Sequence, residues 1–256
     1  MDLEHLQAIR VEELHSVILA IKAEKGSHGN LLEIGAGSGW QARELAACGY
    51  AVFAVDIPGS RYDAHRIWPV ILYDGCRLPF KDASFDIVFS SNVLEHIADI
   101  SSFEKEIHRV LKDDGIAAHV LPTSIWRVWT SLTHHIHLFT WLIRIFRSRI
   151  RASENHDEID RAMQKYSKRQ LLFLALWPHR HGEYGNSLSE IFRFRSNTWI
   201  RHFSDTGWKV VQRIPTRIFY TGNSILGKNL TIKDRKHIAR LLGSSSSIFL
   251  LKKGGH

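Results

Sequence analysis

Asn30-Leu31-Leu32-Glu33-Ile34-Gly35-Ala36-Gly37-Ser38-Gly39 is a short apolar run that ends in three glycines spaced two apart. A run of this kind bounded by glycine reads as a buried strand entering a tight turn. Gly35, Gly37 and Gly39 permit positive φ and let the backbone approach a ligand without a Cβ in the way. Trp40 to Leu45 continues at helical period, so a ligand at this turn lies against backbone at a helix start. Strand, glycine turn and helix also open the dinucleotide fold, but there the third glycine comes one residue later, in G-x-G-x-x-G. The spacing argues against a pyrophosphate cradle, and the glycines alone also suit a purely structural turn.

The neighbouring segments extend the pattern in both directions. Leu3 to Lys25 carries apolar residues at Leu6, Ile9, Leu14, Val17, Ile18 and Ile21, which predicts an amphipathic leading helix ended by Gly26-Ser27-His28-Gly29. Tyr50 to Asp56 is an apolar run of strand composition ending in a carboxylate, 17 residues after Gly39. At the carboxyl end of the second strand of a βαβ unit, Asp56 overlooks the ligand crevice. There it either meets solvent or accepts from the two hydroxyls of a bound diol, because a buried carboxylate without partners is costly. Arg61 to Arg66 reads as loop or short helix, and Pro69 to Gly75 as a further strand run closing in an Asp74-Gly75 turn. Ser84 to Ile97 reads as a buried strand running into a helix start. A helix from Phe103 to Leu111 follows, with Glu104, Lys105, Glu106, His108 and Arg109 on its polar positions, then a turn at Asp113-Asp114-Gly115 and a strand from Ile116 to Leu121.

On these residues the chain resembles the class I S-adenosylmethionine-dependent methyltransferases, in the branch that methylates small molecules. Glu33 to Gly39 matches that family's first motif. Asp56, the segment Asp74-Gly75-Cys76-Arg77-Leu78-Pro79-Phe80 and the block Ser84 to Ile97 follow in the family's order, and the resemblance covers roughly Leu31 to Pro122. It implies a Rossmann-like, doubly wound α/β fold with seven strands in the order 3-2-1-4-5-7-6, the last antiparallel, and a helical insertion between strands 5 and 6. It also implies S-adenosyl-L-methionine as cofactor. Glu33 would help hold the methionine end beside Gly35, Ala36, Gly37 and Gly39. Asp56, with Ile57 next to it, would take the ribose hydroxyls, and Asp74 the adenine amino group, with Gly75 and Cys76 in the same segment. The backbone at Ser91 and Asn92 would lie along the methionine, and Leu94-Glu95-His96-Ile97 would cover it near the reactive methyl. His96 becomes a candidate general base, since an imidazole titrates near neutral pH.

At 256 residues and 44% hydrophobic content the chain suits one α/β domain with an insertion. We expect a cofactor-binding part at 1–123, a basic, aromatic acceptor-binding or membrane-facing insertion at 124–196, and a completing helix and strands at 197–256. Two cysteines, Cys48 and Cys76, make no disulfide framework, and Met1 to His5 lacks a basic segment before an apolar core, so a cytoplasmic protein is expected. The net charge of +8 hides a division: residues 1–123 carry −7 and residues 124–256 carry +15. A field of that sign on the basic half favours a phosphorylated or carboxylated small molecule, an anionic lipid surface or a nucleic acid. The segment from Ile191 to Gly222 also resembles bacterial methyltransferases encoded among genes for cell-surface saccharides, which implies a saccharide- or lipid-linked acceptor.

Ser124 to Arg151 places Trp126, Trp129, Phe139, Trp141 and Phe146 among Arg127, Arg144, Arg147, Arg149 and Arg151. This helical pattern is too short in its apolar part to span a bilayer and reads as a lid, a surface contact with a membrane, or a plain cap. A basic helical pattern continues through Met163 to Leu171. His134, His135 and His137 have no acidic or cysteine partner at a recognisable ligand spacing, and a methyl transfer from a sulfonium needs no metal, so no metal is expected there or at His179 and His181 with Glu183. The loop Pro178 to Asn186 offers His181 as a second candidate base, and Arg193 and Arg195 could bind a phosphate or carboxylate. Trp199 to Val211 is expected to form the last helix and the sixth strand, and Ser247 to Lys252 the final strand. A nucleic-acid methyltransferase is the second reading, although Ser91-Asn92-Val93-Leu94 departs from the Asn/Asp-Pro-Pro-aromatic motif of exocyclic-amine enzymes. A non-catalytic membrane- or partner-binding module is the third.

Overall fold

A computed structural model describes residues 3–60, 62–150, 178–222 and 229–255. The expected basic helix pattern at Met163 to Leu171 lies outside the described residues. So do the side chains of Trp141, Arg144, Phe146, Arg147 and Arg149. Helix α1 (Leu3–Lys25) leads into β1 (Asn30–Ile34), α2 (Trp40–Ala47), β2 (Ala51–Asp56), β3 (Ile71–Leu72), β4 (Phe85–Ser91), α3 (Ile100–Val110) and β5 (Leu111–Pro122). The chain continues with α4 (Ser124–Ile150), α5 (Ser187–Arg193), α6 (Ser196–Asp205), β6 (Trp208–Pro215), α7 (Ile232–Leu242) and β7 (Ser246–Lys253).

The strands form one sheet in the order β3-β2-β1-β4-β5-β7-β6. Pairing is parallel from β3 through β5, and β7 runs antiparallel to both β5 and β6. The expected doubly wound seven-stranded order is therefore the observed one. Successive residues of the central strands bury on opposite faces, as the period of a strand requires. Leu32, Val88, Phe249 and Leu251 pack with Phe103 and Ile107 of α3 and Phe203 of α6. Leu31, Ile87, Phe89, Ile248 and Leu250 pack with Leu14, Val17, Ile18 and Ile21 of α1 and Leu45 of α2. Helix starts are capped where the sequence supplies the residue: the Asp99 carboxylate accepts from Ser102 N at 3.0 Å, and Asn186–Ser189 and Thr231–Asp234 form capping boxes.

Four local expectations differ. β3 is two residues long, because the chain from Pro69 onward lies at the exposed sheet edge and Ile71 and Leu72 both remain exposed. Asp113-Asp114-Gly115 sits inside the span of β5 as a bulge, with partners shifting from Phe85↔Leu111 to Ile87↔Ile116. Helix α6 is not the last: α7 intervenes between β6 and β7. Glu104, expected on the polar face of α3, is buried where His202 Nε2 meets its Oε1 at 3.1 Å, a contact that raises the His202 pKa.

Candidate active site

The carboxyl ends of β1, β2 and β4 meet at one edge. Gly35 N and Ala36 N both donate to Val55 O, at 2.9 and 3.1 Å, so the glycine turn crosses directly over the end of β2. Gly35 and Gly39 adopt φ of +72° and +77°, and a Cβ there would stand 2.4 Å from Val93 Cγ2 and 2.5 Å from Trp68 Cβ. The need for glycine at these two positions is thus set by protein packing and by left-handed φ, rather than by a ligand occupying the Cβ direction.

Asp56 ends β2 and is buried, its Oδ2 accepting from Gly37 N at 3.0 Å and its Oδ1 from Ile57 N at 2.9 Å. Ile57 in turn lies against Gly75, where a Cβ would be 3.3 Å from Ile57 Cγ2, which brings the turn after β3 to the same edge. Asp74 is exposed, and its Oδ1 accepts from Cys76 N and Arg77 N, both at 2.8 Å, bonds that hold its carboxyl below the usual range. Cys76 is exposed as well. Ser91 ends β4, and Asn92 turns the chain at φ +55° while its N donates to Val120 O at 2.9 Å. Glu33, on β1, is buried, and its Oε2 has no hydrogen-bond partner. Burial pushes its carboxyl up to about 8, against a hydrogen bond from the Ala42 backbone and reinforced by the charge of Asp56.

Beyond Asn92, a 3-10 turn at Leu94–His96 carries Glu95 inward and His96 outward. The loop 178–186 folds onto this turn. Glu183 N donates to Glu95 O at 2.9 Å, and the Glu190 carboxylate accepts from His181 N and Gly182 N at 2.6 and 2.7 Å. The His96 and His181 rings stand edge to face with centroids 4.8 Å apart, and Trp126 covers His181 at 4.5 Å. Between and beneath them lies Glu95, whose side chain is fully buried, with Oε1 3.6 Å from His181 Nε2 and 3.9 Å from His96 Nε2. Burial pulls the His96 pKa down, against the opposing charge of Glu95. Leu94, Ile97, Tyr184, Phe194 and Trp199 line a cavity of about 190 Å³ beside this cluster.

A model of the methyltransferase domain family matches residues 32–119. The biotin biosynthesis bifunctional protein BioHC of Cellvibrio japonicus is 32% identical over 120 residues, 42% of this chain and 24% of that protein. A Mycobacterium tuberculosis protein named as a probable S-adenosylmethionine-dependent methyltransferase is 31% identical over 118 residues, 43% of this chain and 42% of that protein. Residues 32–119 are a class I S-adenosylmethionine-dependent methyltransferase domain. The chain spans less than half the length of these curated relatives. The fold as a whole is shared with a solved structure, the Burkholderia thailandensis 1,6-didemethyltoxoflavin-N1-methyltransferase with bound 1,6-didemethyltoxoflavin and S-adenosylhomocysteine. That likeness has a TM-score of 0.51 at 15% identity and covers 95% of this chain and 79% of that one.

The cofactor of the methyltransferase domain is S-adenosylmethionine, and the edge fits it: the buried, unpartnered Glu33 Oε2 suits an ammonium group. Glu33 yields a prediction. Between the ordinary glutamate pKa of 4.5 and about 8, the folded protein keeps a proton that the unfolded chain has released. The cofactor-free domain should therefore lose stability as pH rises through that window. Thermal unfolding of Glu33→Gln should lack this part of the slope, and identical pH profiles for the two proteins would refute the assignment.

Two residues of the site were missed in the sequence. Arg127, counted among the basic groups of a surface helix, is 2% exposed and donates to His179 O at 2.9 Å. Its Nε lies 3.2 Å from Glu190 Oε2 but out of line for a hydrogen bond, so that contact is Coulombic. Glu190 stands nine residues after His181, in a segment without any motif, and no local signal marks it. Arg193 and Arg195, expected to bind an anion, lie over the Tyr184 and Phe192 rings at 5.5 and 4.5 Å. His134 and His135 stand together with ring centroids 5.5 Å apart, while His179 and Glu183 are exposed.

Proposed function

We propose that this chain transfers a methyl group from S-adenosylmethionine to an oxygen or nitrogen of a small, anionic, saccharide- or lipid-linked acceptor. The observation that carries the reading is the position of the His96–His181–Glu95 cluster, four residues past the Ser91-Asn92 turn and open on its histidine side. When bound, S-adenosylmethionine supplies an electrophilic methyl on a sulfonium sulfur. Glu33 and the Gly35–Gly39 turn hold the methionine end, Asp56 the ribose, and the Asp74–Cys76 segment the adenine. An acceptor lone pair held in line would take that methyl as S-adenosylhomocysteine leaves, and the acceptor's proton would pass to His96, His181 or solvent. Holding the two reacting atoms in line supplies most of the rate. Activation of the acceptor falls to His96 and His181, by proton removal or by holding a cation, the two means that imidazoles offer.

The anionic character of the acceptor is supported by a cavity of about 380 Å³ at the ends of β5 and β6, lined by Arg213, Arg217 and Arg240 with Thr123, Ser124 and Ser244. No acidic side chain lines it, and none of the three guanidinium groups has an acidic partner among the described residues. Arginines so placed suit a phosphate or carboxylate. Lipid linkage is supported by the exposed row Val128, Leu132, Ile136 and Phe139 on α4, at helical spacing. Among the described residues no helix is long and apolar enough to cross a membrane, so such contact would be peripheral. The test is to incubate the protein with methyl-labelled S-adenosylmethionine and cell extract and to follow label into organic-soluble, small aqueous, nucleic-acid and protein fractions. Label in the organic or small aqueous fraction is expected. Label in nucleic acid would overturn the acceptor class.

A further inference from the structure

We infer that Glu95, His96 and His181 bind a divalent transition-metal ion of the zinc class. One potential ligand atom from each lies within 4.8 Å of the others, and both imidazole Nε2 atoms face the same carboxylate oxygen, at 3.6 and 3.9 Å. These separations are too long for hydrogen bonds. Ligand atoms held at about 2.0 to 2.2 Å from a tetrahedral ion stand about 3.3 to 3.5 Å apart, so sub-ångström side-chain shifts close the sphere.

The second observation is Glu95 itself. Both of its oxygens are buried and neither has a hydrogen-bond partner. A buried carboxylate in that state needs a cation. Arg127 pairs with Glu190 and Arg10 with Glu13, and Arg193, which lines the same cavity as Glu95, lies over the Tyr184 ring. One ion between the three groups satisfies all of them. Two imidazoles and one carboxylate are a donor set that zinc-class ions accept, and three protein ligands leave a coordination position for another group. The surroundings fix the geometry: Glu190 holds the backbone of His181 and Gly182, and Trp126 packs on the His181 ring.

This site rests on the proposed function only for its role. There the ion would polarise an acceptor oxygen and lower the pKa of its proton, and the imidazoles would be ligands rather than bases. Binding itself is tested without turnover. The full chain is stripped with a chelator, dialysed, and titrated with Co2+, whose visible absorption reports a low-coordinate nitrogen and oxygen site, with Zn2+ as competitor. A single saturating site, displaced by Zn2+, is expected. Glu95→Gln and His181→Ala should each weaken it more than about tenfold, while His134→Ala on the neighbouring histidine pair leaves it unchanged. Calorimetry with S-adenosylhomocysteine on the same samples separates loss of the site from unfolding. Cofactor binding without a Co2+ signal would overturn the metal site and leave the methyltransferase reading standing. A Co2+ signal that survives in both variants would also overturn it.

Discussion

Arg127→Met is expected to cost the fold about 3–5 kcal/mol, because it leaves the Glu190 carboxylate buried with two backbone hydrogen bonds but no balancing cation. Both side chains of the pair are nearly inaccessible, at 2% and 1%. Arg127 also donates to Ser187 O and His179 O, at 3.3 and 2.9 Å, so its removal unpins both ends of the loop that carries His181. For a chain of this size each kcal/mol is worth roughly 2–4 °C, so the midpoint of thermal unfolding should fall by roughly 6–20 °C. Arg127→Met combined with Glu190→Gln should recover much of that loss. The glutamine carbonyl still accepts from His181 N and Gly182 N, and no buried charge remains. Arg180→Met, at an exposed position of the same loop, is the control. A midpoint for Arg127→Met within a degree or two of that control would show that the ion pair does not hold the loop.

Asp56→Ala should abolish most of the affinity for S-adenosylhomocysteine. A hydrogen bond to a charged group is worth about 1.5–3 kcal/mol, roughly tenfold to hundredfold in affinity, and the proposed diol contact makes two of them. The substitution also removes bonds from Gly37 N and Ile57 N, so a weaker affinity alone would not separate a lost ligand contact from a loosened turn. Analogues of S-adenosylhomocysteine that lack one ribose hydroxyl resolve this in a double-mutant cycle. Wild-type protein should discriminate against each analogue by about tenfold or more, and the alanine variant should not. Equal discrimination in both proteins would place the ribose elsewhere.

Most of the sheet was legible in the sequence because strands buried on both faces read as continuous apolar runs, as the parallel β1 and β4 and the antiparallel β7 do. The edge where β1, β2 and β4 end was legible for a related reason. Its residues come from the ends of those strands, so the position of Gly35 to Gly39, Asp56, Ser91 and Asn92 in the chain already places them at one edge of a doubly wound sheet. Ile71 and Leu72 mark where this reasoning weakens, since an exposed edge strand has little apolar pattern to reveal its length.

The histidine cluster was decided by tertiary structure. His96 and His181 were each visible as titratable residues in the sequence, yet nothing in it set their separation, because they stand 85 positions apart and the loop 178–186 has no period. Their meeting depends on Glu183 N bonding to Glu95 O and on the Glu190 carboxylate gathering the loop backbone. Arg127 shows the same limit from the other side. By composition it was one more cation in a basic helix, and its burial follows from a glutamate 63 positions away. Composition and periodicity report how a segment partitions between water and core. The partner that makes a buried charge tolerable is chosen by the packing of distant segments, and that packing alone turned Glu95, His96 and His181 into one cluster.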